Sequence, residues 1–172
     1  FARVAVVDFD VHHGNGTQAA FQADHSLFLA SIHQMPLYPG TGAPDETGVG
    51  NIVNAPVPPH AARETWRATF AGGLMAPLET FGPDLILISA GFDAHRRDPL
   101  AHQSLEPEDF AWATRAACAS RVNFGWCLKS RPKPALPLTF SHGSKLACWN
   151  TSALRGSGSR IGAPRKSMPP PD

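Results

Sequence analysis

Clustered thiols, long apolar runs and an export signal are missing from this sequence. Its three cysteines, Cys118, Cys127 and Cys148, are odd in number and show no CxxC spacing, which argues against a disulfide framework and against a thiolate zinc site. No apolar stretch reaches the length of about eighteen residues that a membrane span needs. The N-terminus lacks the basic, apolar and small-residue order of a secretory signal, so the cytoplasm is the expected location. The chain starts at Phe1 rather than Met and enters an apolar run within a few residues; an internal segment of a longer protein is the expectation. What is present, 42% apolar and 17% charged residues over 172 positions, suffices for one buried core and makes one globular domain the default.

The net charge of +1 hides an uneven distribution. Up to Ala119 there are six basic and thirteen acidic residues, a balance of −7 without a single lysine. From Ser120 onward nine basic residues face one acid, Asp172, giving +8, with seven of the seventeen prolines. No apolar period of 2 or 3.6 is sustained in this second part. Three readings apply to residues 120–172: a basic arm for nucleic acid, a disordered Pro/Ser/Arg-rich linker, or a stretch that is not the natural continuation because the coding frame changed near Ala119. The basic residues are dispersed and share no helical face, which disfavours the first. Trp126, Trp149, Phe124 and Phe140 are unusual for the second. The acid-rich pattern stops inside a helix-like stretch, which favours the third. Residues 1–119 are therefore expected to form the folded part and 120–172 a disordered tail.

Within residues 1–119, Arg3–Asp10, Leu27–His33 and Leu85–Ala90 are apolar, β-branched runs of the kind that form strands buried on both faces. Gly16–Ala23 has the length of a short helix. Trp66, Phe70, Leu74, Leu78 and Phe81 recur at helical spacing and predict one long amphipathic helix over 61–81, strained at Gly72-Gly73 and Pro77. Glu106-Pro107-Glu108 supplies the acids and proline that favour the start of a further helix over 109–119. Strands alternating with helices predict an α/β domain with a mostly parallel sheet, whose ligands sit at the carboxyl ends of the strands.

Two of those ends are rich in donors. The first run leads straight into Asp8-Phe9-Asp10-Val11-His12-His13-Gly14-Asn15-Gly16. If the extended conformation persists, period-two geometry puts Asp8, Asp10 and His12 on one side. A carboxylate and a neutral imidazole two residues apart can bind one divalent ion, and the glycines let the chain turn away from it. A catalytic zinc takes three protein ligands and keeps one position open. Ser89-Ala90-Gly91-Phe92-Asp93 supplies a third donor directly after Leu85–Ala90. A plainer reading stays open, in which Asp8 and Asp10 cap the following helix and His12 is a satisfied, partly buried residue.

DFDVHHGNGTQ, SIHQMPLYPGTG and SAGFDAHRRDPL, in this order, resemble successive signatures of the histone deacetylase superfamily, closest to class II-like bacterial deacetylases and acetylpolyamine amidohydrolases. The resemblance covers about residues 3–119 and implies part of an arginase/deacetylase-like three-layer fold. It implies Asp10, His12 and Asp93 as zinc ligands. It also implies a structural potassium site formed by Asp8, Ser31 and the carbonyls of Asp10, His12 and Ile32. Asp8 would orient a general-base histidine, Asn15 stands where class I members have an aspartate paired with the second catalytic histidine, and Tyr38 and Leu100 match the walls of the acyl-amine channel. For Leu100, ordinary loop packing is a close second reading. The implied reaction is hydrolysis of an acetylated lysine, polyamine or small amide to acetate and free amine, with no direct role for nucleic acid or membrane. An oligomeric intact protein is compatible with it.

The departures bear on activity. The family's tandem general-base histidines precede the first motif and its oxyanion Tyr or His follows a Gly-rich turn beyond the last; neither is found in these 172 residues. His12-His13 is not that pair, since His12 is assigned to the metal, and His95 is expected to be a loop residue. Little turnover is therefore expected of this chain alone. Two alternatives remain: a non-catalytic truncated remnant, and another metallohydrolase such as a binuclear ureohydrolase. The latter needs an aspartate two residues past the histidine, where Gly14 stands.

Overall fold

The computed structural model describes residues 1–119 and the backbone of 145–149. The expectations for 120–144 and 150–172, including a disordered tail, lie outside the described residues. The elements are β1 (Val4–Asp8), α1 (Asn15–Phe21), β2 (Leu27–Gln34), β3 (Ile52–Val57), α2 (Arg63–Thr69), a π-helical turn (Phe70–Met75), α3 (Ala76–Phe81), β4 (Leu85–Ser89), α4 (Pro107–Ala119) and β5 (Lys145–Trp149). The sheet order is β3-β2-β1-β4-β5. Contacts among β1 to β4 are parallel, and β5 adds an antiparallel edge on β4.

Alternating side chains divide the sheet into two faces. Ala5 and Val7 of β1, Ala30 and Ile32 of β2, and Ile86 and Ile88 of β4 face the main core, where Trp66, Phe70, Leu74, Leu78, Phe110 and Ala113 of the helices pack. Val6, Leu29 and Ile52 point the other way and meet Phe21 of α1. The result is three layers, with the sheet between α1 and the α2–α4 side. The chain leaves β1 to build β2 and β3 on one side and crosses over to β4 on the other. The order thus reverses between β1 and β4, where α/β sheets open a crevice at the strands' carboxyl ends.

The three expected strands are present; β3 and β5 are additional, the latter inside the stretch expected to form a disordered tail. The sequence of β3, IVNAPV, carries Asn54 and Pro56 inside a strand that, among the described residues, pairs with β2 alone. An edge position tolerates the missing N–H of proline, which is why the pattern does not read as a strand. The long helix expected over 61–81 begins at Arg63 and is interrupted. Residues 70–75 widen to a π turn around Gly72-Gly73, and Pro77 stands in the first turn of α3. Pro77 has no N–H to donate back to Gly73, so the ladder loosens where the glycines offer least resistance. Gly82 ends α3 at φ 61, in the left-handed region that glycine enters without penalty. No helix among the described residues is long and apolar enough to cross a membrane.

Candidate metal centre

β1 does not continue as a strand to His12. It ends at Asp8, and two side-chain-to-backbone bonds shape the turn beyond it. The Asp10 N–H donates to Asp8 Oδ1 at 3.0 Å, and the His12 N–H donates to Asp10 Oδ1 at 2.8 Å. These bonds, from residue i+2 back to the side chain of i, turn the chain in the manner typical of aspartate. Asp8 is left beneath the turn, 3% exposed, while Asp10 and His12 open onto the crevice. The helix-capping reading of the two aspartates is not realised, since α1 starts from Gly14 with no side-chain cap.

From the end of β4, Asp93 reaches the same turn. Its Oδ1 accepts the Val11 N–H at 3.0 Å, which fixes the carboxylate, and its Oδ2 lies 2.9 Å from His12 Nδ1. His12 Nδ1 is also 3.1 Å from Asp10 Oδ1. One donor atom from each of Asp10, His12 and Asp93 thus lies within 4.8 Å of the others. Among the described residues, no other group of three His, Cys, Asp or Glu side chains converges in this way.

The electrostatics fit a cation. Burial raises the Asp93 carboxyl, opposed by the Val11 N–H, and the negative charge of Asp10 raises it further. Burial likewise pushes Asp8 up to about 7; the Asp10 N–H and Ser89 oppose this, and the charges of Asp10 and Asp93 add to it. Among the described residues, none of the three acids has a lysine or arginine ion-pair partner. Two carboxylates and an imidazole are a donor set that a divalent ion takes on displacing protons, and positive charge there relieves their repulsion.

Gly91, a residue that sequence reasoning misses because it offers no donor, is what allows the acids so close. A Cβ on it would lie within 2.5 Å of Asp10 Cγ. Gly14 similarly leaves room for Asp8, whose Oδ2 would lie 2.8 Å from an added Cβ.

The other expected residues are dispersed around this centre. Ser31 is fully buried opposite Asp8 in the β1–β2 register, and its Oγ bonds His33 Nδ1 at 3.0 Å; Ile32 lies in the core. Asn15 is exposed at the start of α1, and Tyr38 and Leu100 are exposed on loops after β2 and β4. His95 stays in its loop, 3.8 Å from Glu106. His13 turns away from the three donors and is buried against His33, a pairing the sequence does not signal.

Known proteins share this arrangement's sequence and fold. The family profile described as Histone deacetylase domain matches residues 1–126. A probable deacetylase of Methanothermobacter thermautotrophicus is 48% identical over 117 residues, covering 64% of this chain and 35% of that protein. The crystal structure of an acetylpolyamine aminohydrolase from Burkholderia pseudomallei superposes with a TM-score of 0.61 at 35% identity, over 64% of this chain and 34% of that one. A histone deacetylase homologue from Aquifex aeolicus gives 0.65 at 27% identity, over 68% and 33%. The chain thus spans about a third of the length of these relatives. With the profile match covering well over half of its residues, the chain belongs to the histone deacetylase family, whose fold implies a metal cofactor.

Proposed function

We propose that this chain carries the metal-binding part of a zinc-dependent deacetylase, with Asp10, His12 and Asp93 as the ligands. The supporting observation is the convergence of those donors from the ends of β1 and β4 at the reversal of strand order. When bound, zinc would supply Lewis acidity toward an amide carbonyl and an acidified water. The chain's own residues prepare the place. Asp8 accepts the Asp10 N–H and so sets the turn, the Val11 N–H fixes Asp93, and His12 stands between the two carboxylates.

Substrates of this reading are acetylated lysine, polyamine or small amides, with Tyr38 and Leu100 beside the entering acyl-amine chain. Asp8 and Asn15 would act on general-base histidines that these 172 residues do not include. Potassium at Asp8, Ser31 and the Asp10, His12 and Ile32 carbonyls is part of the proposal. The ureohydrolase alternative gains no support, because His13 is engaged by Thr41 and Gln18 and Gly14 offers no side-chain donor.

The test is an assay of the zinc-loaded chain on a fluorogenic acetyl-lysine substrate, beside a version extended at both ends. The extended protein should turn over and lose activity in Asp10→Ala, while the 172-residue chain should show little, since proton transfer and oxyanion stabilisation each normally contribute orders of magnitude. An extended protein indifferent to Asp10→Ala would overturn the assignment.

A further inference from the structure

The turn that carries His12 is tied to a second region of the molecule through its neighbour. His13 is 4% exposed and His33, on β2, is 1% exposed, with ring centroids 4.8 Å apart. Their hydrogen bonds assign both rings. His33 Nε2 is 3.0 Å from the Gly42 carbonyl, which can only accept, so Nε2 carries the proton and Nδ1 receives the Ser31 hydroxyl. Burial, with His13 alongside, drives His33 down to about 4, in keeping with a neutral ring. His13 Nε2 donates to Gln18 Oε1 at 3.0 Å, because the Gln18 amide nitrogen is committed to Glu46. His13 Nδ1 therefore accepts from the Thr41 hydroxyl at 2.8 Å.

Thr41 and Gly42 belong to the β2–β3 loop, residues 35–51, which also carries Tyr38. Glu46 closes that loop on itself by accepting the Gly42 and Ala43 N–H groups, each at 2.9 Å. Gly42 has φ 92, and a Cβ there would lie 2.5 Å from His33 Nε2 and 2.6 Å from His13 Cγ. The loop therefore rests directly on the imidazole pair, with no space between. Tyr38, by contrast, is 80% exposed, so its position is set by this base rather than by packing of its own ring.

We propose that His13 is a positioning residue that holds the Tyr38 loop, through Thr41 and Gly42, on the turn bearing His12, so that the wall of the acyl-amine channel is registered to the metal centre. The proposal rests on the reading of Tyr38 as a channel residue, but the anchoring can be tested without metal or turnover. Tyr38 is the sole tyrosine, so ring-13C-tyrosine labelling of the full chain gives one signal that reports this loop. Thr41 is an exposed loop residue, and Thr41→Val removes the hydroxyl while sparing the core.

The expected result is a displaced Tyr38 signal and Gly42 and Ala43 amide exchange faster by about tenfold, the scale of one lost hydrogen bond. Amides of β1 should be unchanged, and Thr41→Ser should restore both readouts. A Tyr38 signal and loop exchange identical to wild type in Thr41→Val would overturn the anchoring, as would failure of Thr41→Ser to rescue. Zinc added to the same samples separates the two readings. In wild type the Tyr38 signal should respond and in Thr41→Val the response should shrink, whereas absence of zinc uptake overturns the metal assignment and leaves the metal-free comparison to decide the anchoring.

Discussion

Asp93 and Asp109 lie sixteen residues apart in one chain, and they are held in opposite ways. Asp109 is fully buried and receives Arg63 and Arg67 at 2.6 Å each, with the Glu106 N–H at 2.8 Å. Burial alone would raise its carboxyl, but the bonds from Arg63, the Glu106 N–H and Arg67 keep it below the usual range. Asp93 is raised by burial, and the charge of Asp10 beside it adds to the rise. One acid has been given its cations and joins α2 to α4. The other has been given a second acid, an arrangement that costs stability and persists where it serves a ligand. Among the described residues, guanidinium partners at Asp109, against only an imidazole, His12, between the acids at Asp93, are thus what distinguishes the metal centre from the structural pair.

The sharpest way to break that contrast is to neutralise each acid. Asp109→Asn leaves two guanidinium groups without their buried partner and should destabilise the protein by about 3 kcal/mol or more. Asp93→Asn removes repulsion with Asp10 and should leave the metal-free protein at or above wild-type stability. Urea denaturation of both variants without metal checks the pair, and equal losses would remove the distinction.

A smaller effect extends the contrast to a buried imidazole. The folded-state value of His33, about 4, lies below the ordinary value of about 6.5. The unfolded chain therefore takes up the proton first. Stability from this residue should be complete above about 6.5, fall as pH drops from there toward 4, and level off below, for a total on the order of 3 kcal/mol. His33→Asn should flatten that part of the stability–pH curve, and an unaltered slope would contradict the assignment. Asp109 behaves differently, because its contribution holds above about 4 and is lost as pH falls through its depressed value.

The smallest effect is a control outside both regions. Gly72 lies in the π turn with nothing within 4 Å of an added Cβ. Gly72→Ala should raise stability by about 0.5–1 kcal/mol, seen as a modest rise in Tm, without altering metal affinity.

Much of this is legible in the sequence. β1 and β2 are apolar runs because both faces of the sheet are buried there, whereas β4 buries Ile86 and Ile88 and leaves Leu87 exposed; Asp10, His12 and Asp93 stand just past two of those runs. The strain expected at Gly72-Gly73 is where the helix widens. The unreadable parts depend on residues brought together from afar. Two aspartate turns, not extended backbone, aim Asp10 and His12. Gly91 matters only because Asp10 stands over it. His13 meets Thr41, 28 positions away, and no local pattern announces that meeting. β3 escapes notice because Pro56 suits only an edge strand and because Asn54 finds its partners outside the strand, in Gln18, Ala43 and Glu46.

The central claim, that acids without a lysine or arginine partner at the ends of β1 and β4 form one metal site, is tested most directly by calorimetric titration of zinc into the metal-free 172-residue chain and into Asp93→Asn. One equivalent should bind to wild type, and the variant should lose affinity by at least about a hundredfold, consistent with removal of one of three ligands. Two equivalents per chain, no uptake, or an undiminished affinity in Asp93→Asn would contradict the account.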